Sequence, residues 1–225
     1  KAARNEYGES RNLKLEVNAY GRIMKEIERV DGIPGKDVQL TIDSRLQQKA
    51  FELFGEESGA AVLLDVHTGE ILAFVSAPSF DPNMMTQGLS TEDWNALLHN
   101  ERNPLTDKAI SGQYSPGSTF KMIVALAALE AGVIKPETRT YCAGKMFLGN
   151  HAFHCWKKEG HGHLNVVEAL QHSCDIFFYE TAQKLGIEKI ADMARRFGLG
   201  SKINIGLENE KAGLIPDKEW KLTIG

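Results

Sequence analysis

The chain has 225 residues, of which 42% are hydrophobic and 25% charged, a composition typical of a globular protein with a sizeable core. Thirty acidic and 26 basic side chains leave a formal net charge of −4, and neither sign forms a long run. The charge pattern therefore does not favour a nucleic-acid partner. The longest apolar run, Met122 to Leu129, is much shorter than the about 20 residues of a membrane-spanning helix, so we expect any membrane anchor to lie outside this chain.

Residues 1–30 are polar and weakly patterned, and a cluster of turn-forming residues from Asp31 to Gly35 follows them. We therefore expect a domain boundary near residue 35. After it, the alternation in Val38–Ile42 predicts a strand, and Asp43 or Ser44 can cap a helix that ends at Gly55. Two β-rich runs, residues 59–66 and 70–76, are separated by a short turn with a glycine and predict a hairpin.

Prolines and asparagines predict an irregular segment over residues 78–106, with one short helix in it. Helical patterns dominate beyond residue 106, and most of them end at a glycine. One of them, Met122 to Ala131, is apolar nearly all round and is expected to be buried. The predicted helices cover residues 92–98, 122–131, 165–170, 175–185 and 188–197. Together, the hairpin and these helices predict an α+β fold in which an antiparallel sheet is packed by helices.

Ser118 and Lys121 stand three residues apart, immediately before the apolar helix, so we expect them to share a face of its first turn. A serine hydroxyl becomes a good nucleophile when a neighbouring base takes its proton, and a buried, neutral lysine can be that base. The N-terminus of the helix would supply N–H groups to an oxyanion.

The alternative is that Ser118 only caps the helix and that Lys121 is a surface lysine. The spacing alone favours this alternative, because Ser-x-x-Lys is a common pattern. The catalytic interpretation is favoured by the preceding Pro116-Gly117, by the apolar helix, and by a second polar break at Ser173-Cys174-Asp175.

The sequence from Ser115 to Lys121 resembles the first motif of class B penicillin-binding proteins, and Ser173-Cys174-Asp175 resembles the second. Asp175, where asparagine is commoner, makes the chain most similar to the penicillin-binding protein 2 group. The resemblance implies a transpeptidase fold related to the serine β-lactamases. Residues 1–35 would then be the remnant of a non-catalytic pedestal domain, and residues 36–225 the N-terminal portion of the transpeptidase domain.

The resemblance also implies a function: a peptidoglycan D,D-transpeptidase of cell elongation and shape, at the periplasmic face of the bacterial inner membrane. Ser118 would attack stem peptides ending in D-Ala-D-Ala, Lys121 would accept its proton, and Ser173 would relay a proton to the departing D-alanine. Asp175 would orient Lys121 and Ser173. β-Lactam antibiotics would acylate Ser118, and a membrane glycosyltransferase of the elongation complex would be a partner.

No Lys-Thr-Gly triplet, the third motif of the family, occurs in the 225 residues. We therefore expect that the chain is truncated or that later residues are missing, and that activity belongs to the parent enzyme. Two other functions stay open. A serine β-lactamase or D,D-carboxypeptidase would pass the acyl group to water, whereas a β-lactam sensor or scaffold would bind without turnover.

The three cysteines lie in a window that also holds five of the seven histidines, and an odd number cannot pair completely in disulfides. They could simply be small buried side chains. Under oxidising conditions, however, coordination would protect the thiols from mispairing. The spacing predicts a structural zinc site formed by Cys142, Cys155, His161 and Cys174, with His163 as the reserve ligand. The family resemblance supports this, because relatives can carry a metal here.

Overall fold

The computed structural model describes residues 8–9 and 12–224, and the chain divides into two compact units, residues 1–109 and 110–225. The first unit begins with two small antiparallel pairs. Strand β1 (Gly8–Glu9) pairs with β4 (Ile33–Pro34), and β2 (Asn12–Val17) pairs with β3 (Ile23–Val30). The predicted boundary near residue 35 falls inside this unit and stays a prediction.

Strands β2 and β3 are not among the predicted elements, although Leu13, Leu15 and Val17 of β2 alternate with polar residues. Strand β3 shows no such alternation. All eight residues of β3 are exposed, so neither face of the strand has to be apolar. Alternation of polar and apolar residues arises when one face of a sheet is buried and the other is solvated. In β2 the alternation is present without a buried face, since Leu13, Leu15 and Val17 are 44%, 37% and 53% exposed.

The helix and hairpin predicted for the first unit are confirmed. Helix α1 (Ser44–Phe54) is capped by the Asp43 side chain, which accepts hydrogen bonds from two backbone N–H groups, and it ends at Gly55. Strands β5 (Gly59–Leu64) and β6 (Ile71–Ala77) form the antiparallel hairpin. Helix α1 packs on β6, and the buried residues of β6 alternate as a half-buried strand requires.

The strand predicted at Val38–Ile42 is wrong: none of these described residues joins a strand. Leu40 is 70% exposed, so the alternation does not correspond to a buried face. Two hydrogen bonds, from Thr41 Oγ1 to Ile71 O (2.7 Å) and from Asp43 N to Leu72 O (2.9 Å), attach this segment to the start of β6.

Three further helices follow β6: α2 (Asn83–Gln87), α3 (Thr91–Leu98) and α4 (Lys108–Ser111).

The second unit consists of helices and two short strand pairs. A 3₁₀ turn (Gly117–Phe120) leads into helix α5 (Lys121–Glu130). Four strands come next: β7 (Thr140–Cys142), β8 (Lys145–Leu148), β9 (His151–His154) and β10 (Gly162–Leu164). The remaining helices are α6 (Val166–Gln171), α7 (Asp175–Leu185), α8 (Ile187–Arg196) and α9 (Lys218–Ile224). Strands β7 and β10 pair antiparallel, as do β8 and β9.

Helices α5, α7 and α8 pack against one another around the core of this unit. Phe177, in the first turn of α7, is fully buried. The predicted burial of α5 holds for one face only. Val124 and Ala128 are buried. Met122 and Leu126 are 55% and 44% exposed. Residues four apart on a helix share a face, and these two pairs lie on opposite faces of α5. No helix in the described part of the chain is both long and apolar enough to cross a membrane.

Candidate active site and metal-binding cluster

Ser118 lies at the start of the apolar helix, as expected, but in the 3₁₀ turn that precedes it. Lys121 is the first residue of α5 itself. Gly117 has a positive φ of 57°, a conformation that a residue without Cβ adopts readily. Turns of the 3₁₀ type are frequent at helix N-termini. The first helical turn expected from the sequence is this 3₁₀ turn, and the α-helix begins after it.

The Nζ atom of Lys121 is surrounded by oxygen atoms. Nζ lies 2.6 Å from Asp175 Oδ1, and it donates to Ser173 Oγ (3.0 Å) and Ser173 O (2.9 Å). The ring centroid of Phe178 is 5.8 Å away, and the Lys121 side chain is only 13% exposed. The alternative in which Lys121 is a surface lysine is therefore wrong.

Ser173 lies between Lys121 and Ser118. Its Oγ is 2.8 Å from Ser118 Oγ and 3.0 Å from Lys121 Nζ. The backbone of Ser173 has a φ of +51°, a left-handed conformation that costs a residue with a Cβ about 1–2 kcal/mol. The hydrogen bonds that close helix α6 hold it there: Ser173 N–H donates to Leu170 O, and Cys174 N–H donates to Ala169 O. Strained residues of this kind are common at functional sites.

Asp175 connects this group to a neighbouring loop. It is the first residue of α7, and its carboxylate is shared: Oδ1 accepts from Lys121, and Oδ2 accepts from the backbone N–H of Trp156 at 3.1 Å. The structure thus brings all four predicted catalytic residues together. It also adds Trp156, which nothing in the sequence pattern marked.

The four predicted metal ligands also come together. Their donor atoms all lie within 4.8 Å of one another, and His161 Nδ1 is 3.6 Å from Cys142 Sγ and 3.5 Å from Cys155 Sγ. A tetrahedral zinc with bonds of about 2.3 Å to sulfur and about 2.0 Å to nitrogen separates those two ligand atoms by about 3.5 Å. The residues present therefore fit zinc. The reserve ligand, His163, lies outside the cluster and packs its ring against Tyr141.

The electrostatics of the cluster differ from ligand to ligand. Burial alone would raise the pKa of Cys155, but backbone N–H groups of Lys157, Asp175 and Ile176 point at its sulfur, and the net shift of the pKa is downward. Burial raises the pKa of Cys174 to about 12, so its thiolate needs a nearby cation. Burial also lowers the pKa of His161, which favours the neutral imidazole that binds metals. Its Nε2 is buried without a hydrogen-bond partner among the described residues.

Two glycines allow the backbone to fold tightly around the cluster. Cys155 N–H donates to Gly144 O at 2.8 Å, and His161 N–H donates to Cys142 O at 3.1 Å. A Cβ on Gly144 would lie 2.0 Å from Lys158 O, and one on Gly160 would lie 2.1 Å from Cys142 O. These glycines were not predicted to belong to the site, because the backbone contact that requires them is between residues distant in sequence.

Comparison with known proteins identifies the family. Residues 59–225 match the family described as penicillin binding protein transpeptidase domain. The chain is 39% identical over 217 residues to the peptidoglycan D,D-transpeptidase MrdA of Escherichia coli K12, an alignment that covers 96% of this chain and 34% of that protein. The chain therefore spans about a third of the length of this curated relative.

Solved structures of penicillin-binding proteins also match this chain. Pseudomonas aeruginosa PBP2 in complex with WCK 5153 matches with a TM-score of 0.81 at 40% identity, over 87% of this chain and 45% of that one. Helicobacter pylori PBP2 in complex with MreC matches with a TM-score of 0.81 at 35% identity, over 93% of this chain and 39% of that one. The imipenem acyl-enzyme of penicillin-binding protein A from M. tuberculosis matches with a TM-score of 0.73 at 32% identity, over 82% and 46%.

These matches confirm both the expected transpeptidase fold and the expected similarity to penicillin-binding protein 2. The family match extends over most of the chain and includes the segments that carry Ser118 and Ser173. On this evidence, the chain belongs to the penicillin-binding protein transpeptidase family.

Proposed function

We propose that the protein containing this chain is a peptidoglycan D,D-transpeptidase in which Ser118 forms an acyl-enzyme with stem peptides ending in D-Ala-D-Ala. The observation that carries the proposal is the continuous series of polar contacts from Ser118 Oγ through Ser173 Oγ to Lys121 Nζ and Asp175. The family and its E. coli relative support this reaction class. On the same grounds, we propose that the protein acts at the periplasmic face of the inner membrane and that a membrane glycosyltransferase is its partner.

In the acylation step, Ser118 Oγ attacks the carbonyl carbon of the penultimate D-alanine. A bond forms between Oγ and this carbon, and the C–N bond to the terminal D-alanine breaks. Because Ser173 Oγ lies between Ser118 and Lys121, the serine proton passes through Ser173 to a neutral Lys121 rather than directly to it. The same relay returns a proton to the departing amine, as a general acid.

In the second step, the amine of a neighbouring stem peptide attacks the ester. A new amide bond forms, the ester C–O bond breaks, and the proton that the attacking amine loses passes through Lys121 and Ser173 to Ser118 Oγ. Asp175 holds Lys121 at 2.6 Å throughout both steps, which keeps the base in place while its partners react.

Covalent labelling of the full-length protein with a labelled penicillin tests this proposal. The lactam C–N bond opens and the acyl group stays on the nucleophile, so peptide mapping should find the adduct on Ser118. Ser118→Ala should abolish labelling and keep the fold, whereas the matched control Ser115→Ala, at an exposed serine in the same motif, should still be labelled. An adduct on another residue contradicts the proposal. Fast release of the acyl group to water would indicate a β-lactamase instead.

We also propose that Cys142, Cys155, His161 and Cys174 bind one structural zinc ion. Four protein ligands leave no open coordination position, which is typical of structural rather than catalytic zinc. When bound, the ion would supply a cross-link between the loop that carries Cys155 and the second catalytic motif, of which Cys174 is the middle residue.

Elemental analysis of protein purified without added metal or chelator tests the zinc site, together with thiol titration before and after denaturation. We expect about one zinc per chain and thiols that react only after denaturation. Cys155→Ala should lose the metal, melt at a lower temperature and acylate more slowly, although Cys155 contacts no substrate. His163→Ala, which removes the exposed reserve ligand, should keep the metal. Metal-free protein with three freely reactive thiols would contradict the proposal.

A further inference from the structure

Trp156 is unusually constrained for an exposed side chain. It is 65% exposed, yet both of its N–H groups are engaged by protein. The backbone N–H donates to Asp175 Oδ2 at 3.1 Å, and the indole Nε1–H donates to His172 O at 3.0 Å. The indole also contacts the ring of His161, with 5.3 Å between the centroids. At an exposed position water could satisfy the indole N–H equally well, so this geometry is not required by desolvation.

The two hydrogen bonds of Trp156 reach both sides of the catalytic group. Asp175 accepts from Lys121 with one carboxylate oxygen and from Trp156 with the other, so the carboxylate cannot rotate without losing one of these bonds. His172 O belongs to the peptide that joins His172 to Ser173. The indole N–H therefore fixes the orientation of the peptide plane that leads into the left-handed backbone of Ser173.

We propose that Trp156 is a positioning residue for acylation. Its indole N–H keeps Ser173 in the strained conformation that places Ser173 Oγ between Ser118 and Lys121, and its backbone N–H keeps Asp175 aligned on Lys121. This inference rests on the proposed transpeptidase function. It assigns Trp156 an effect on the rate of the chemical step, exerted through Ser173 and Asp175 rather than through contact with the reacting atoms.

The test measures, for the full-length protein and a chromogenic penicillin, the dissociation constant of the initial complex and the rate constant of acylation separately. Trp156→Phe keeps an aromatic ring but lacks the indole N–H. Trp156→Ala lacks the ring as well as the indole N–H. We expect both variants to acylate about 10- to 100-fold more slowly, the cost of small misplacements in a catalytic group, with an unchanged dissociation constant. Trp220→Phe, a tryptophan of helix α9, is the matched control and should behave as wild type.

Other outcomes would overturn the inference. Normal acylation by Trp156→Phe would show that the indole N–H positions nothing. A weaker dissociation constant at a normal rate constant would make Trp156 a surface for substrate binding. Loss of zinc and a lower melting temperature in both variants would make it a structural support of the metal cluster. If wild-type protein is not acylated at Ser118 at all, the proposed function fails together with this inference, whereas a normal wild type beside a normal Trp156→Phe overturns the inference alone.

Discussion

Lys121 and Ser173 have different positions in the site and should differ in how much their loss costs. Lys121 is the only one of the two that can store a proton between steps, because its amine is a base and a hydroxyl is not. Ser173 is placed to pass that proton on, since its Oγ is within 3.0 Å of both Lys121 Nζ and Ser118 Oγ. A water molecule could replace a deleted hydroxyl as a relay, but not a deleted base.

Lys121→Ala should therefore slow acylation by penicillin about 10²- to 10⁴-fold, the usual cost of losing a general base, and leave the initial dissociation constant nearly unchanged. Ser173→Ala should cause a smaller loss in the same assay. Lys184→Ala is the matched control, because Lys184 is a 60% exposed lysine on α7. Acylation by Lys121→Ala at near-normal speed would show that this lysine is only structural.

The sequence predicted those catalytic residues that lie in contiguous motifs. It predicted Ser118, Lys121, Ser173 and Asp175 as one group. It could not decide between His161 and His163 as the metal ligand. The two histidines are separated by Gly162, whose φ is +73°, so the alternation of a regular strand does not apply between them. Only the fold shows that His161 faces the three sulfurs.

At the scale of elements, predictions succeeded where the signal is local. The capping box of helix α6 is formed by Asn165 and Glu168, three residues apart, and both of its hydrogen bonds are present in the structure. The strands β7 to β10 were missed because each has only three or four residues, too few to show a period. Their pairing is determined by contacts such as Cys142 opposite Gly162, which no local pattern encodes.

The tight backbone around the metal cluster leads to a prediction about Gly160. Gly160 and Gly132 both have positive φ, +78° and +67°, but a Cβ on Gly160 would lie 2.1 Å from Cys142 O, whereas one on Gly132 would have no atom within 4 Å. Gly132→Ala should therefore cost only the conformational strain, about 1–2 kcal/mol. Gly160→Ala should lower the free energy of unfolding further, by on the order of 3 kcal/mol or more, and should also reduce the zinc content.

Urea unfolding and elemental analysis of the two glycine variants check this prediction. The comparison separates backbone strain from the steric clash, because both variants introduce the same Cβ at a similar φ. Equal losses of stability in the two variants, with zinc retained in Gly160→Ala, would show that the backbone near Cys142 can move aside and that the cluster tolerates it.

At the scale of the whole second unit, the proposed metal site and the hydrophobic core are continuous. Cys142, Cys155 and Cys174 are buried members of the same core cluster as Phe177 and Leu185. The end of strand β7, the residue after strand β9 and the N-cap of helix α7 therefore meet at the three sulfur atoms. An ion bound there would connect these elements directly, so its loss should be measurable as a change in the stability of the fold and not only in activity.

If the proposed zinc ion is bound, its removal by a chelator at neutral pH should therefore lower the melting temperature. A free metal concentration of about 100 times the dissociation constant adds about 2.7 kcal/mol to the free energy of unfolding. For a chain of this length, that corresponds to a shift of the melting temperature of roughly 5–10 °C. Differential scanning calorimetry with and without chelator measures the shift, and added zinc, but not magnesium, should reverse it, because magnesium prefers oxygen ligands. Cys155→Ala, which lacks one ligand, should melt at the same lower temperature whether chelator is present or not. A wild-type protein whose melting temperature does not respond to the chelator would contradict the coupling of metal and core.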